Sequence, residues 1–217
     1  MVFNIDKPVG WTSFDVVKKV KRITGHRKVG HGGTLDPFAS GVLIIATEND
    51  TKNLSEIAKS NKSYQAELLL GAKTNTLDPE GEIIDEKPIP KLSENTLLRT
   101  LKTFEGRQKQ IPPMFSAKKH KGTRLYKLAR KNIEVERSQI NIEIDSISLV
   151  RFLDNRIIFN VSCSKGTYIR VLGVEIAEKL GTVGYLINLK RTRVGNYLIN
   201  DSKSIEIFEK SWKSYTN

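Results

Sequence analysis

Apolar and polar residues alternate through Lys62-Ser-Tyr-Gln-Ala-Glu-Leu-Leu-Leu70, with Tyr64, Ala66, Leu68 and Leu70 on one face. That period of two predicts a half-buried strand. Val2-Phe-Asn-Ile5 predicts a short strand stopped by Asp6-Lys7-Pro8 and Gly10, and Gly41-Val-Leu-Ile-Ile-Ala46 a fully buried segment. Phe14, Val17, Val20 and Ile23 recur near helical spacing, with Thr12 or Ser13 placed to cap the start and Gly25 to end the helix. Further helices are expected from Asp50 or Thr51 to Lys59, from a Ser93 cap to about Phe104, and from about Tyr168 to Leu180 before Gly181. Ile140–Leu153 and Arg156–Cys163 read as a hairpin turned at Asp154-Asn155, two residues that tolerate left-handed geometry. Tyr185–Arg193 suggests a last strand, and residues 71–91, rich in Gly, Pro and Asp, a long loop.

No internal repeat, low-complexity linker or strong domain boundary interrupts these elements. A single domain over residues 1–217 is expected, and the mixed strands and helices argue for an α/β or α+β class. The formal net charge is +12, so the chain should attract polyanions. The charge is clustered. Residues 118–131 hold seven Lys or Arg and no acid, interleaved with Leu125 and Tyr126, and residues 17–28 hold six more, again with no acid. One cysteine, Cys163, excludes an internal disulfide and points to a reduced, cytoplasmic setting. Three separated histidines, His26, His31 and His120, do not make a zinc pattern. No apolar run approaches the roughly 18 residues of a membrane span, and Asp6 and Lys7 interrupt any secretory signal early.

One stretch stands out for chemistry: Gly30-His-Gly-Gly-Thr-Leu-Asp-Pro-Phe-Ala-Ser-Gly-Val-Leu43. It sets Asp36 among glycines and before Pro37, which biases Asp36 away from helical geometry. By spacing alone this is a tight turn. A carboxylate on a shaped turn beside a core element is also how a nucleophile or general base is displayed. The glycines do not form a P-loop, because no Gly-Lys-Ser/Thr follows.

This stretch resembles the active-site motif of the TruB family, the tRNA pseudouridine synthases acting on the T-loop. Two further segments match in order. Ile111-Pro-Pro-Met-Phe-Ser-Ala-Lys118, continued by Gly122-Thr-Arg-Leu-Tyr-Lys-Leu-Ala-Arg130, resembles the RNA-gripping insertion of that family. Cys163-Ser-Lys-Gly-Thr-Tyr-Ile-Arg170, followed by Leu189-Lys-Arg-Thr192, resembles its C-terminal active-site elements. The resemblance runs from about Asn4 to about Gly195. It implies an α+β pseudouridine synthase fold, a mixed and mainly antiparallel sheet with flanking helices and an insertion at about 107–131 acting as a flap. Many bacterial relatives carry a small RNA-binding domain after the catalytic one. Only about twenty residues follow Gly195, so that domain is expected to be absent.

The implied reaction isomerises a T-loop uridine, position 55 in tRNA numbering, to pseudouridine. Atoms in equal atoms out with no net redox change, so no cofactor and no metal is expected. Asp36 matches the catalytic aspartate, which attacks the sugar C1′ or the base or instead assists elimination. Arg170 matches the arginine that would pair with Asp36 and keep it anionic, a task suited to a guanidinium. Tyr64 matches a stacking partner for the uracil and a candidate proton relay. Tyr168 and Leu189 match positions lining the uracil pocket, and His31 the residue that enters beside the flipped-out nucleotide. Lys118, Lys119, Lys121, Arg124 and Lys127 would supply phosphate contacts. The expected partner is tRNA through its T stem-loop, with the protein acting as a monomer, without membrane or obligate protein partner. Two other readings compete: an RNA-binding or chaperone module that has lost the chemistry, and a guide-RNA-dependent relative working in a multiprotein particle. The presence of Asp36, Tyr64 and Arg170 speaks against the first, and the lack of terminal extensions against the second.

Overall fold

Val2–Lys7 forms β1 and Thr12 starts α1 (Ser13–Thr24). Thr12 and Asp15 close a reciprocal capping box, and Gly25, at φ 70°, ends the helix, as its left-handed freedom allows. β2 (Val29–His31) and β3 (Ser40–Thr47) follow. The helix expected next is a 3-10 turn, Glu48–Asn53, leading into the short α2 (Leu54–Lys59). β4 (Lys62–Leu70) is the alternating strand, with Tyr64, Ala66, Leu68 and Leu70 all buried. The expected long loop instead contains a small hairpin, β5 (Ala72–Thr74) and β6 (Ile83–Glu86). Its second strand is exposed throughout, so no buried face exists to produce an alternation. Ser93 caps α3 (Glu94–Lys102).

β7 (Gly106–Gln110) takes the first residues of the basic excursion into the main sheet. What remains outside the main sheet holds β8 (Lys119–His120), β9 (Thr123–Arg124) and α4 (Leu125–Ala129). β10 (Ile140–Leu153) and β11 (Arg156–Cys163) form the expected hairpin, with Asp154 at φ 55°. α5 (Ile169–Lys179), β12 (Gly184–Val194), β13 (Tyr197–Leu198) and α6 (Ile205–Thr216) complete the chain. The sequence reading did not foresee α6. These elements come from a computed structural model that describes residues 1–216.

The chain divides into two compact units, with boundaries inside β4 and β12: residues 1–65 with 189 onward, and residues 66–188. In the first unit the strand order is β1-β3-β12, with β2 on β3 and β13 on β12. β1 runs antiparallel to β3, Ile5 facing Leu43, while β12 joins β3 in parallel through Lys190–Ser40 and Arg191–Gly41. β3 is continuously apolar because both its faces are covered. Leu43 and Ile45 pack with Val16, Val17, Val20, Ile205 and Phe208, whereas Val42 and Ile44 pack with Val194. Val16 takes the place in the α1 stripe expected of Phe14, which is exposed with Lys18 beside its ring. α6 is held by Phe208 and Trp212, both edge-on to Phe3 at 4.9 and 5.9 Å.

In the second unit the order is β12-β4-β11-β10-β7. Its core includes Leu68, Leu97, Leu101, Ile142, Ile144, Ile157, Phe159, Leu172 and Ile176, all buried. α5 and β12 approach closely because Gly173 and Gly184 lack side chains. A Cβ on Gly173 would lie 2.8 Å from Leu186, and one on Gly184 2.8 Å from Ala177. β7 is polar and follows no apolar pattern because it lies at the end of the sheet, paired with β10 alone.

Candidate active site

In the first unit, the turn carrying half-buried Asp36 is fastened at every flank. The buried Ser13 hydroxyl accepts from Leu35 N at 2.9 Å and donates to Leu35 O at 3.2 Å, satisfying both main-chain groups of the preceding residue. Asp36 O accepts from Ala39 N at 3.1 Å, and Pro37 O accepts from Gly10 N at 2.8 Å. Two cations complete the hold. Lys7, 0% exposed, donates from Nζ to the carbonyls of Pro8, Trp11 and Pro37 at 2.8, 2.6 and 3.2 Å. Arg191 donates from Nε to Val42 O at 2.7 Å and from its terminal nitrogens to Thr34 O at 3.3 Å and Gly33 O at 3.1 Å. Main-chain carbonyls thus offset much of the cost of burying these charges.

Other expected site residues lie in the same unit. Tyr64 is buried on β4 and Leu189 is buried on β12, the strand between β3 and β4 in the sheet order. The Asp36 turn feeds directly into β3, so three successive strands carry or follow Asp36, Leu189 and Tyr64. His31 ends β2, opposite Ile45.

The second unit carries Arg170, Tyr168 and the basic segment. Arg170 is buried, which its helix position did not foretell. It meets the Asp78 carboxylate at 3.2 Å and donates to Thr76 O at 2.6 Å and Phe115 O at 2.8 Å. Asp78, inside the segment expected to be a long loop, carries a buried carboxylate. Its Oδ1 accepts from Thr76 Oγ1 at 2.5 Å and from Glu80 N at 3.1 Å. Arg170 therefore joins the β5–β6 turn to the base of the basic segment.

Tyr168 stands at the start of α5, clamped by the buried Gln110. The Gln110 amide accepts from Tyr168 N at 2.8 Å and donates to Tyr168 O at 3.2 Å, the pattern a neighbouring strand would supply. Glu175 also engages this amide. Burial pushes its carboxyl up to about 7 and the neighbouring Glu178 adds to the rise, while the Gln110 hydrogen bond opposes it. Lys119, Lys121, Arg124 and Lys127 are exposed on the β8–β9 hairpin and α4, and Lys118 is half-buried just before them. The hairpin turns at Lys121-Gly122, both at positive φ.

Asp78, Gln110, Lys7 and Arg191 are the functional neighbours that sequence reasoning missed. Arg191 fell inside the quoted Leu189-Lys-Arg-Thr192 segment, yet nothing in that string distinguishes it from Lys190. Among the described residues no group of three or more His, Cys, Asp or Glu is arranged to hold a metal ion. No helix there is long and apolar enough to cross a membrane.

Residues 21–169 match the family described as TruB family pseudouridylate synthase (N terminal domain). The chain is 45% identical to tRNA pseudouridine synthase B of Clostridium kluyveri, a match covering 96% of this chain and 72% of that protein. It is 44% identical to the protein of the same name from Desulfotalea psychrophila, covering 93% of this chain and 84% of the other. Among solved structures, a chain of a Cbf5-Nop10-Gar1 complex superposes with a TM-score of 0.78 at 27% identity. A chain of an H/ACA RNP bound to a substrate RNA containing 2′-deoxyuridine gives 0.73 at 26%. Both comparisons cover all of this chain, which spans 55% of each of those longer chains. They agree with the mixed, mostly antiparallel sheet and flanking helices described above.

Proposed function

This chain belongs to the TruB family of pseudouridylate synthases, and from that premise we propose that it isomerises uridine 55 of the tRNA T-loop to pseudouridine. The observation that carries the reading is the Asp36 turn. Its place in the matched family segment coincides with a half-buried carboxylate whose supporting main chain is fixed on both sides.

The reaction breaks the bond between C1′ and N1, turns the uracil, and joins C1′ to C5; C5 gives up its hydrogen as a proton and N1 takes a proton up. Asp36 is the nucleophile that carries the cleaved fragment through the turn. Arg170 has the role its motif position implies, that of the family's active-site arginine, and Asp78 holds it in the second unit. Tyr64 stacks on the flipped uracil, the motif positions of Tyr168 and Leu189 imply contacts to that base, and His31 enters the space the base has left. The exposed cations of β8, β9 and α4 grip phosphates without reading sequence. The substrate partner is tRNA, and the protein works as a cytoplasmic monomer on it.

The test is conversion of unmodified tRNA by purified protein, followed by release of tritium from C5-labelled uridine and by mapping of the modified position. Wild type should form pseudouridine at position 55. Asp36→Asn should form none while binding tRNA within about threefold of wild type, because the phosphate grip lies elsewhere. Turnover by pure Asp36→Asn protein would remove Asp36 from the chemistry.

A further inference from the structure

We propose that Arg191 is a positioning residue for Asp36, acting as a fork that sets the separation between the two arms of the Asp36 turn; this rests on the reading of Asp36 as the catalytic carboxylate. The guanidinium is 2% exposed. It takes only main-chain carbonyls, two on the arm that enters the turn (Gly33 and Thr34) and one on the arm that leaves it (Val42). Burying a guanidinium costs several kcal/mol, whereas an aliphatic side chain on β12 would fill the same space without that cost. What the aliphatic group lacks is a rigid planar set of donors reaching both arms at once.

The main chain of Arg191 grips the exit arm as well. Arg191 pairs with Gly41 across β12 and β3, and Gly41 is at φ +104°. A Cβ there would lie 2.2 Å from Arg191 O, so the exit arm runs hard against the residue whose side chain holds the entry arm. The other fastenings named above each hold a point of the turn: Ser13 holds Leu35, and Lys7 donates to Pro37 O. Arg191 is thus the group that converts strand register into the placement of Asp36. A displacement of a reacting group by about 1 Å is worth roughly a hundredfold in rate, so a looser turn should show in the chemical step before it shows in binding.

The experiment compares Arg191→Lys and Arg191→Met with Phe208→Leu, a core truncation on α6 that lowers stability away from the turn. Melting temperature, tRNA Kd and the single-turnover rate at saturating tRNA are measured for each. Arg191→Lys should fold, keep Kd within about threefold, and lose about tenfold to a hundredfold in rate; Arg191→Met should lose more. Phe208→Leu should keep its rate despite a comparable fall in melting temperature. The proposal is overturned by an Arg191→Lys rate within about threefold of wild type, or by an equal rate loss in Phe208→Leu. It is also overturned if Arg191→Lys cannot fold, since Arg191 would then be a determinant of folding. Inactivity of the wild type, or full activity of Asp36→Asn, would instead bring down the functional reading, which the same assays register separately.

Discussion

Asp78→Ala should be among the most damaging single changes in the second unit. The substitution removes a carboxylate that is 5% exposed and lies 3.2 Å from an Arg170 side chain that is 4% exposed. Breaking a buried ion pair from one side typically costs about 3–5 kcal/mol, because the remaining charge is stranded. Arg170 keeps the carbonyls of Thr76 and Phe115, which places the charge penalty near the lower end. Loss of the Oδ1 acceptor for Thr76 Oγ1 and Glu80 N adds about 1 kcal/mol. The sum is about 4 kcal/mol, or a fall in melting temperature of about 8–16 °C for a chain of this size. Asp78→Asn keeps the shape and the Oδ1 acceptor, and should lose about 1.5–3 kcal/mol. Urea unfolding of both variants, with a double-mutant cycle against Arg170→Met, gives the numbers directly. A loss below about 1 kcal/mol in Asp78→Ala, with no coupling to Arg170, would refute the argument.

Three further outcomes are expected. Glu175 titrates at about 7 in the folded protein against an ordinary 4.5; a raised acid pKa means that the folded state loses stability as pH climbs from about 4.5 through 7. Glu175→Gln should therefore match wild type in melting temperature below that window and exceed it above, and an equal difference at both ends would rule out the ionisation as cause. Tyr64→Phe should be nearly normal if stacking alone matters and severely slowed if the hydroxyl moves a proton, while full activity in Tyr64→Leu would exclude both roles. Neutralising Lys118, Lys119 and Lys121 together should flatten the dependence of log Kd on log salt by up to about 2–3 units of slope, and an unchanged slope would place the phosphate grip elsewhere.

Much of this protein was legible as sequence because the signals are local. The Thr12–Asp15 box and Gly25 mark α1 from within its own residues, the alternation of β4 declares its buried face, and Asp154-Asn155 turns the long hairpin. The Asp36 turn was legible for the same reason, since glycines and Pro37 shape it within a few residues. Elements whose form is lent by neighbours were not. β7 carries Arg, Gln and Lys and is a strand because β10 offers it a ladder, and α6 is held by rings seated on Phe3.

The charged residues divide along the same line. That Arg170 and Arg191 are cations was plain from the sequence; that they are buried, and on what, was decided by the tertiary structure. Asp78 is remote from Arg170 along the chain, and folding alone makes it the carboxylate facing that guanidinium. Arg191 and Lys7 are satisfied by the carbonyls of Gly33, Thr34, Val42, Pro8, Trp11 and Pro37. Every residue carries such a carbonyl, so an acceptor of this kind leaves no mark on the sequence, and only the path of the folded backbone selects which ones meet a buried charge.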